Sequence, residues 1–179
     1  MITTMKKTLP LCVKTVAVAE NSNPSAAYIK NIFRFCGREN YRVIKYGWPL
    51  PKGTVKPVLL LRTRISGIDL KKWAVCVAEW ELSKYVQGAA KRITFSLKRN
   101  DADFTARNIR ITPNGNVAFE IVGFGVIGRV RLRGSDLSKV EAVLAAACAA
   151  VGCGIPFAEV LSALNINQPE KFSLALNDV

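Results

Sequence analysis

A short polar segment separates an apolar run, residues 16–19, from an amphipathic run that begins at residue 26; it consists of Glu20, Asn21, Ser22, Asn23, Pro24 and Ser25. Between a strand and a helix, such a turn cradles a phosphate in P-loop proteins, where glycines and a lysine complete the site. This turn contains neither glycine nor lysine. Glu20 would repel a phosphate, and Pro24 lacks the N–H group that would bind one. These six residues therefore raise the question whether this is a working phosphate turn or a vestigial one, and we predict no cofactor.

Residue types that serve acid–base or metal chemistry are scarce. The chain has no histidine, the commonest general base near neutral pH, and its five cysteines form no CxxC pair for zinc. The carboxylates of Glu79, Glu81, Asp101 and Asp103 show no motif-like spacing. We predict no catalytic residue, no metal site and no small-molecule substrate. Because the cysteines lie in apolar segments, we expect buried, reduced thiols and an intracellular, reducing compartment.

The charge distribution points to a polyanionic partner. The chain has 26 Lys and Arg against 13 Asp and Glu, and residues 1–72 hold 14 basic and 3 acidic residues, a net charge of +11. This concentration favours RNA as partner over a generally basic surface without a dedicated ligand. The predicted phosphate contacts are the basic residues of that segment: Lys6, Lys7, Lys14, Lys30, Arg34, Arg38, Arg42, Lys45, Lys52, Lys56, Arg62, Arg64, Lys71 and Lys72.

Three aromatic residues, Tyr46, Trp48 and Trp73, are interleaved with these cations. They are candidates for stacking on bases, and core or interface packing is the alternative for each.

The elements that must position these residues alternate between strand and helix over residues 1–91. Strand-like segments at 12–19, 41–47, 58–65 and 73–80 are separated by a helix that ends at Gly37, a Pro-rich loop and a short helix at 82–91. This order predicts an α/β fold with a Rossmann-like, mainly parallel sheet and flanking helices. No apolar run is long enough to span a membrane, so we expect no membrane partner.

The pattern changes at Arg92. Four strand-like segments with turns between them predict a small antiparallel sheet over 92–134, with a hairpin at Asn114-Gly115. Its alternating arginines predict either an arginine-rich functional face or an ordinary solvated one; they are Arg107, Arg110, Arg129, Arg131 and Arg133. Two helices over 135–166 and a tail over 167–179 complete one expected domain, 1–179, in which 1–91 is the degenerate P-loop part.

Four segments, in this order, resemble the central, ATP-binding domain of the peptidoglycan Mur ligases, especially the enzyme that adds the third peptide residue. "TVAVAENSNPSAAYIKNIFRFCGRENYRVIKYG" is similar to their P-loop strand, helix and next strand, and "WAVCVAEWELSKYVQGAAKRITFSL" to the stretch with their N-A-D-D-P motif. "ADFTARNIRITPNGNVAFEI" resembles their small antiparallel sheet. "LRGSDLSKVEAVLAAACAAVGCGIPFAEVLSALNINQPEKF" resembles their Ala-rich helix, the following helix and a linker. The resemblance implies the fold of that domain.

The resemblance also implies that the family's phosphate site is degenerate here. The P-loop glycines fall on Glu20 and Asn23, the lysine on Pro24 and the magnesium-binding threonine on Ser25. Only Ser25 keeps something of the family's role.

Other nucleotide contacts of the family are also absent. Its N-A-D-D motif reads Val77-Ala78-Glu79-Trp80, and "SDLSKVEA" lacks the asparagine that precedes the Ala-rich helix. The stretch with the magnesium-binding glutamate and the modified lysine is reduced to about 25 residues between Gly47 and Trp73. The resemblance thus implies a truncated, non-catalytic member.

The function that follows is a non-catalytic structural or scaffolding protein. It would be a basic subunit of a nucleic-acid-containing assembly, such as an organellar ribosome or transcription complex, with RNA and neighbouring proteins as partners. The expected location is a mitochondrial or plastid matrix or the cytoplasm. The alternatives are a protein–protein adaptor without nucleic acid, anchored by apolar residues such as Trp80 and Phe124, and a residual ATP-dependent ligase or nucleotide binder.

Overall fold

The computed structural model describes residues 12–21 and 24–166, which form an α/β fold. Its strands are β1 (Lys14–Ala19), β2 (Tyr41–Lys45), β3 (Val58–Leu61), β4 (Val75–Glu79), β5 (Arg92–Ser96), β6 (Phe104–Ile111), β7 (Val117–Gly123) and β8 (Val126–Leu132). Its helices are α1 (Pro24–Phe35), α2 (Lys139–Gly152) and α3 (Phe157–Ile166), with short 3₁₀ helices at Leu70–Lys72 and Trp80–Val86. Lys6, Lys7, Ser22, Asn23 and the predicted tail lie outside the described residues. Within them, no helix combines the length and the apolarity needed to cross a bilayer.

The first strand–helix unit forms as the sequence predicts. Pro24 opens α1, where its fixed φ suits the first helical position. The helix ends at Phe35, and Gly37, two residues later, adopts φ +62°. There the N–H of Arg38 donates to the Phe33 carbonyl at 2.8 Å and the N–H of Gly37 to the Arg34 carbonyl at 3.1 Å. This pair of bonds is a Schellman motif, so the predicted C-terminal role of Gly37 is confirmed.

The strands form one eight-stranded sheet in the order β2-β1-β3-β4-β5-β6-β7-β8. Neighbours from β2 to β6 pair in parallel, and β6, β7 and β8 pair antiparallel. The predicted α/β class with a mainly parallel sheet is confirmed.

The predicted start of the antiparallel region at Arg92 is wrong. β5 pairs in parallel with β4, and the direction changes only at β6, which joins β5 and β7 in the same sheet. Strand-like composition does not determine pairing direction. The twelve residues from 80 to 91, which include the 3₁₀ helix Trp80–Val86, are long enough for a crossover to a parallel neighbour. Residues 92–134 therefore do not form a sheet of their own.

The main core lies between one face of the sheet and the three α helices. Its buried side chains come from every strand except β2 and include Leu60, Phe95, Phe119 and the alanines of α2. Alanine lets α2 approach the strands closely, and residues 142–150 of that helix are all buried. The opposite face of the parallel strands is covered by a thinner layer that includes Trp73 and Val86.

Burial of the cysteines follows the prediction only in part. Cys76, Cys148 and Cys153 are buried free thiols, and burial raises the pKa of Cys76 to about 11 and that of Cys153 to about 12. Cys12 is exposed and Cys36 half-buried because the first precedes β1 and the second follows the last residue of α1. For these two, the expectation of burial is wrong.

Candidate functional site

The carboxyl ends of β1, β3 and β4 meet at one edge of the sheet, where parallel α/β proteins bind ligands. Glu20 directly follows β1, Arg62 directly follows β3, and Glu79 ends β4. Ser25 in the first turn of α1 and Glu141 in the first turn of α2 face the same place. Glu20 and Ser25 of the vestigial phosphate turn thus lie at this edge.

The guanidinium of Arg62 occupies the centre of this edge. Its Nη1 donates to Glu20 Oε2 and to Ser25 Oγ, both at 2.9 Å, and its Nη2 donates to Glu141 Oε2 at 2.9 Å. The side chain of Arg62 is 13% exposed and that of Glu20 is 2% exposed. Arg62, a predicted RNA contact, thus donates to protein partners in an ion-pair network and presents little surface to a phosphate outside the protein.

The network has an excess of negative charge. Three carboxylates, those of Glu20, Glu79 and Glu141, surround one guanidinium. Burial raises the pKa of Glu79, the nearby charges of Glu141 and Glu81 raise it further, and Arg62 opposes the shift. A triphosphate brings several negative charges and requires cations and N–H donors at such a turn. This arrangement instead offers carboxylates and a guanidinium whose two Nη atoms are already engaged.

Sequence reasoning missed this network, although a signal was present. Charged residues directly follow the buried runs of β1 and β3, and a third ends β4. Because the ends of parallel neighbours meet, opposite charges at these positions predict a pair. Within the described residues, no group of acidic or cysteine side chains is arranged to hold a metal ion.

Five of the predicted RNA contacts come together along α1 and β2. Lys30 and Arg34, four residues apart on α1, line a cleft of about 460 Å³ with Arg38 and Arg42. A smaller cavity of about 190 Å³ shares Lys30 with the cleft and adds Lys45. We call these two neighbouring cavities, with their five cations, the basic groove.

Aromatic side chains line both cavities of the basic groove, and one of them is an exposed indole. Phe33 and Tyr41 pack edge to face with ring centroids 4.9 Å apart and line the larger cavity. Trp48 lines the smaller cavity and is 63% exposed. The groove thus combines cations for phosphates with a ring on which a base can stack.

Two cations of the groove are held in place by neighbours. Arg38 pairs with Glu159 of α3 at 3.3 Å, and Arg42 donates to the backbone carbonyls of Glu39 and Tyr41. These contacts fix the guanidinium groups at the surface instead of burying them.

The remaining predicted contacts are dispersed. Lys14 is half-buried on β1, and Lys52 and Lys56 are exposed in the loop before β3. Arg64 lies over the ring of Tyr85, 5.3 Å from its centroid. Lys71 is exposed, and Lys72 pairs with Asp69 at 3.7 Å in the layer opposite the α helices.

The aromatic candidates separate into surface and core. Trp73 is 9% exposed and packs beside Tyr46, so the alternative of core packing holds for both. Trp80 is half-buried beneath the guanidinium of Arg99. Phe124 is 62% exposed at the turn between β7 and β8.

Comparisons with known proteins give matches among solved structures. MurF from Acinetobacter baumannii matches 89% of this chain with a TM-score of 0.62 at 12% identity. The murein peptide ligase Mpl from Psychrobacter arcticus matches 87% with a TM-score of 0.60 at 13% identity. The pseudomurein peptide ligase type C from Methanothermus fervidus matches 88%, again at 0.60 and 13%. No protein-family model matches the sequence, and no curated protein shows a significant match.

The chain spans only 46% of the first two structures and 50% of the third. At these identities the likeness concerns the arrangement of strands and helices. The chain therefore has a Mur ligase central-domain-like fold, as the sequence resemblance implies.

Proposed function

We propose that this chain is a non-catalytic, Mur ligase-like structural protein that binds RNA through its basic groove. The observation that carries the proposal is the convergence of Lys30, Arg34, Arg38 and Arg42 on one cleft. Lys and Arg side chains bind phosphates largely without regard to sequence, as a scaffold in a ribonucleoprotein requires. An organellar ribosome or transcription complex, in a mitochondrion or plastid, is the kind of assembly we propose.

The absence of catalysis is part of this proposal. It rests on the residues at the carboxyl ends of β1, β3 and β4. Glu20 and Pro24 stand where the resemblance places P-loop residues, and Arg62 is engaged by Glu20 and Glu141. ATP with magnesium should leave the unfolding temperature unchanged. A clear upward shift would support the residual nucleotide binder instead.

The test of the main proposal is RNA binding by the full chain across a salt series. For single strands, the slope of log K against log salt is about 0.7 per phosphate contact, so replacing Lys30, Arg34 and Arg42 with alanine should reduce it by about 2. Arg38 is retained because it pairs with Glu159. The matched control replaces three exposed cations outside the groove, Lys91, Arg92 and Lys98.

The proposal predicts a large loss of affinity in the groove variant and little change in the control. Absent or salt-independent binding, or equal losses in both variants, would contradict it. Treating a native pull-down with RNase then separates RNA-dependent partners from neighbouring proteins.

A second candidate function is a protein–protein adaptor. The observation that favours it is the exposed apolar turn between β7 and β8, where Phe124 and Ile127 are each 62% exposed. Partners that survive RNase treatment and are lost on replacing Phe124 with serine would support this role.

A further inference from the structure

A second cationic surface lies at the other end of the sheet. Arg107 and Arg110 on β6 and Arg129 and Arg131 on β8 flank β7, and Arg133 follows β8. The register aligns Arg107 with Glu120 and Arg129 in one row, and Arg110 with Ala118 and Arg131 in the next. All five arginines are exposed. We call this surface, on the side of β6–β8 opposite the helices, the arginine face.

The alternation of inner and outer positions is strict on β7 and β8. Phe119, Ile121, Val130 and Leu132 point into the helix-covered core, whereas the positions between them point outward. The predicted gathering on one face by alternation is therefore confirmed for Arg129 and Arg131.

A β-bulge keeps the arginines of β6 on this face. Arg107 and Arg110 are three residues apart, so regular alternation would turn one of them into the core. The register shifts between them, and Asn108 adopts φ +53°. Three residues of β6 thus span two of β7, and both side chains remain outside.

Glu120 is the one acidic residue within β6, β7 and β8. Glu120, in the row between Arg107 and Arg129, accepts a hydrogen bond from Asn108 at 2.8 Å and lies 3.6 Å from Arg129. The neighbouring row places Ala118 between two arginines. An ordinary solvated face intersperses both signs. All five cations are arginines, whose planar fork matches a phosphate better than lysine does.

The arginine face and the basic groove lie far apart. β2, which lines the groove, is one edge of the sheet, and β8 is the other. At about 4.8 Å per strand, the six steps from β2 to β7 span roughly 29 Å. The groove also lies on the α1 side, whereas the arginines lie on the opposite side. A single RNA segment seated in the groove would have to pass around the sheet to reach them.

We propose that the arginine face is a second surface for the phosphate backbone of RNA, so that one chain bridges two RNA segments. This inference rests on the proposed function, because it assigns the same class of partner to a second site. No aromatic residue occupies an outward position in the paired rows of the arginine face. RNA would therefore bind there through its phosphate backbone, independently of its base sequence.

The experiment uses the full chain with two short RNAs that carry different fluorophores. Bridging should bring the labels together in a protein-dependent manner, and native mass spectrometry should find two RNAs per chain. Replacing Arg107, Arg110 and Arg129 with glutamine should abolish bridging, leave one RNA bound and reduce the salt slope by about 2. The corresponding lysine variant, which retains the charge, should keep part of the bridging and controls for folding.

The outcomes separate this inference from the proposed function. No RNA binding by the unaltered chain would contradict both. A different result would overturn only the second surface: the chain binds one RNA, the groove variant loses this binding, and the glutamine variant keeps it. Polyglutamate that binds the arginine face as tightly as RNA would also overturn it, in favour of an acidic protein partner.

Discussion

At the scale of single residues, Arg62 joins three elements of the fold. It directly follows β3 and links the residue after β1, the first turn of α1 and the first turn of α2 through three hydrogen bonds. Its partner Glu20 is almost completely buried. An isolated buried carboxylate is costly, so the stability of this edge depends on the guanidinium.

Replacing Arg62 with methionine should lower the free energy of unfolding by about 3–5 kcal/mol, because Glu20 would remain buried without its partner. Urea unfolding of the purified chain measures the loss. The control Arg64→Met removes an exposed arginine above Tyr85 and should cost no more than about 1 kcal/mol. Adding Glu20→Gln to Arg62→Met should recover part of the stability, and equal losses in Arg62→Met and Arg64→Met would contradict this account.

Glu79 makes the stability depend on pH. Its pKa in the folded state is raised above the ordinary value of 4.5, chiefly by burial. A raised pKa means that the folded state holds the proton more tightly than the unfolded state does. The contribution of Glu79 is therefore fully present below pH 4.5 and is lost as the pH rises through the folded-state pKa.

The variant Glu79→Gln should consequently gain stability relative to the unaltered chain as the pH rises from 4 to 7. Below the ordinary pKa the two proteins should differ least, because a protonated carboxyl group resembles an amide. Urea unfolding at several pH values measures the difference. A difference that is constant over this range would show that Glu79 titrates alike in both states.

At the scale of elements, the edge strand β8 depends on close contact with α3. Asn165 of α3 accepts a hydrogen bond from the Arg131 N–H at 3.0 Å and donates one to the Arg129 carbonyl at 2.9 Å. A Cβ atom on Gly128 would lie 2.2 Å from Leu161 Cδ1 and 2.8 Å from its Cγ. Glycine at this position therefore allows the helix to cover the strand.

Gly128→Ala should destabilise the chain by about 1–3 kcal/mol, because Leu161 must leave its place to avoid the added methyl group. The double variant with Leu161→Ala removes the obstacle, so the alanine at 128 should cost much less in that background. Thermal or urea unfolding of the four proteins of this cycle measures the coupling. Equal costs of Gly128→Ala in both backgrounds would contradict the predicted clash.

Local patterns were sufficient to predict most of the elements. The apolar run of β1, the helical spacing of Ile29 and Ile32 and the C-terminal role of Gly37 depend on neighbours in sequence, and the structure confirms them. The direction of β5 was mispredicted because it depends on the path of the preceding connection. The partners of Arg62 were missed for a related reason, since they depend on which strands become neighbours.

At the scale of the whole molecule, the net positive charge can be counted from the sequence, but the positions of the charged side chains depend on the fold. The first 72 residues hold a net charge of +11, yet Arg62 lies in the interior network and Lys71 and Lys72 lie in the layer opposite the α helices. The basic groove forms because α1 and β2 are adjacent at one edge of the sheet. A linear count of charges cannot reveal this adjacency.

The continuous sheet also predicts how the molecule unfolds. One buried cluster contains Val16 and Leu60 from the parallel strands together with Phe119 and Val130 from the antiparallel strands, and α2 packs against β3, β4, β5 and β6. A strand that shares its buried core with neighbouring strands cannot open without exposing the core side chains of those strands. The amides of β3 and β7 should therefore open with the same free energy.

Native-state hydrogen exchange at graded urea concentrations measures these opening free energies directly. We expect the values for Val58–Leu61 and Val117–Gly123 to agree within about 1 kcal/mol, a small difference beside the roughly 5–15 kcal/mol stability of a typical domain. Both sets of amides are paired on two sides, so local fraying at a sheet edge does not confuse the comparison. If β7 opened at a clearly lower free energy than β3, the strands after the change of direction would form an independent unit. A boundary in stability would then lie between β3 and β7 even though the sheet is continuous there.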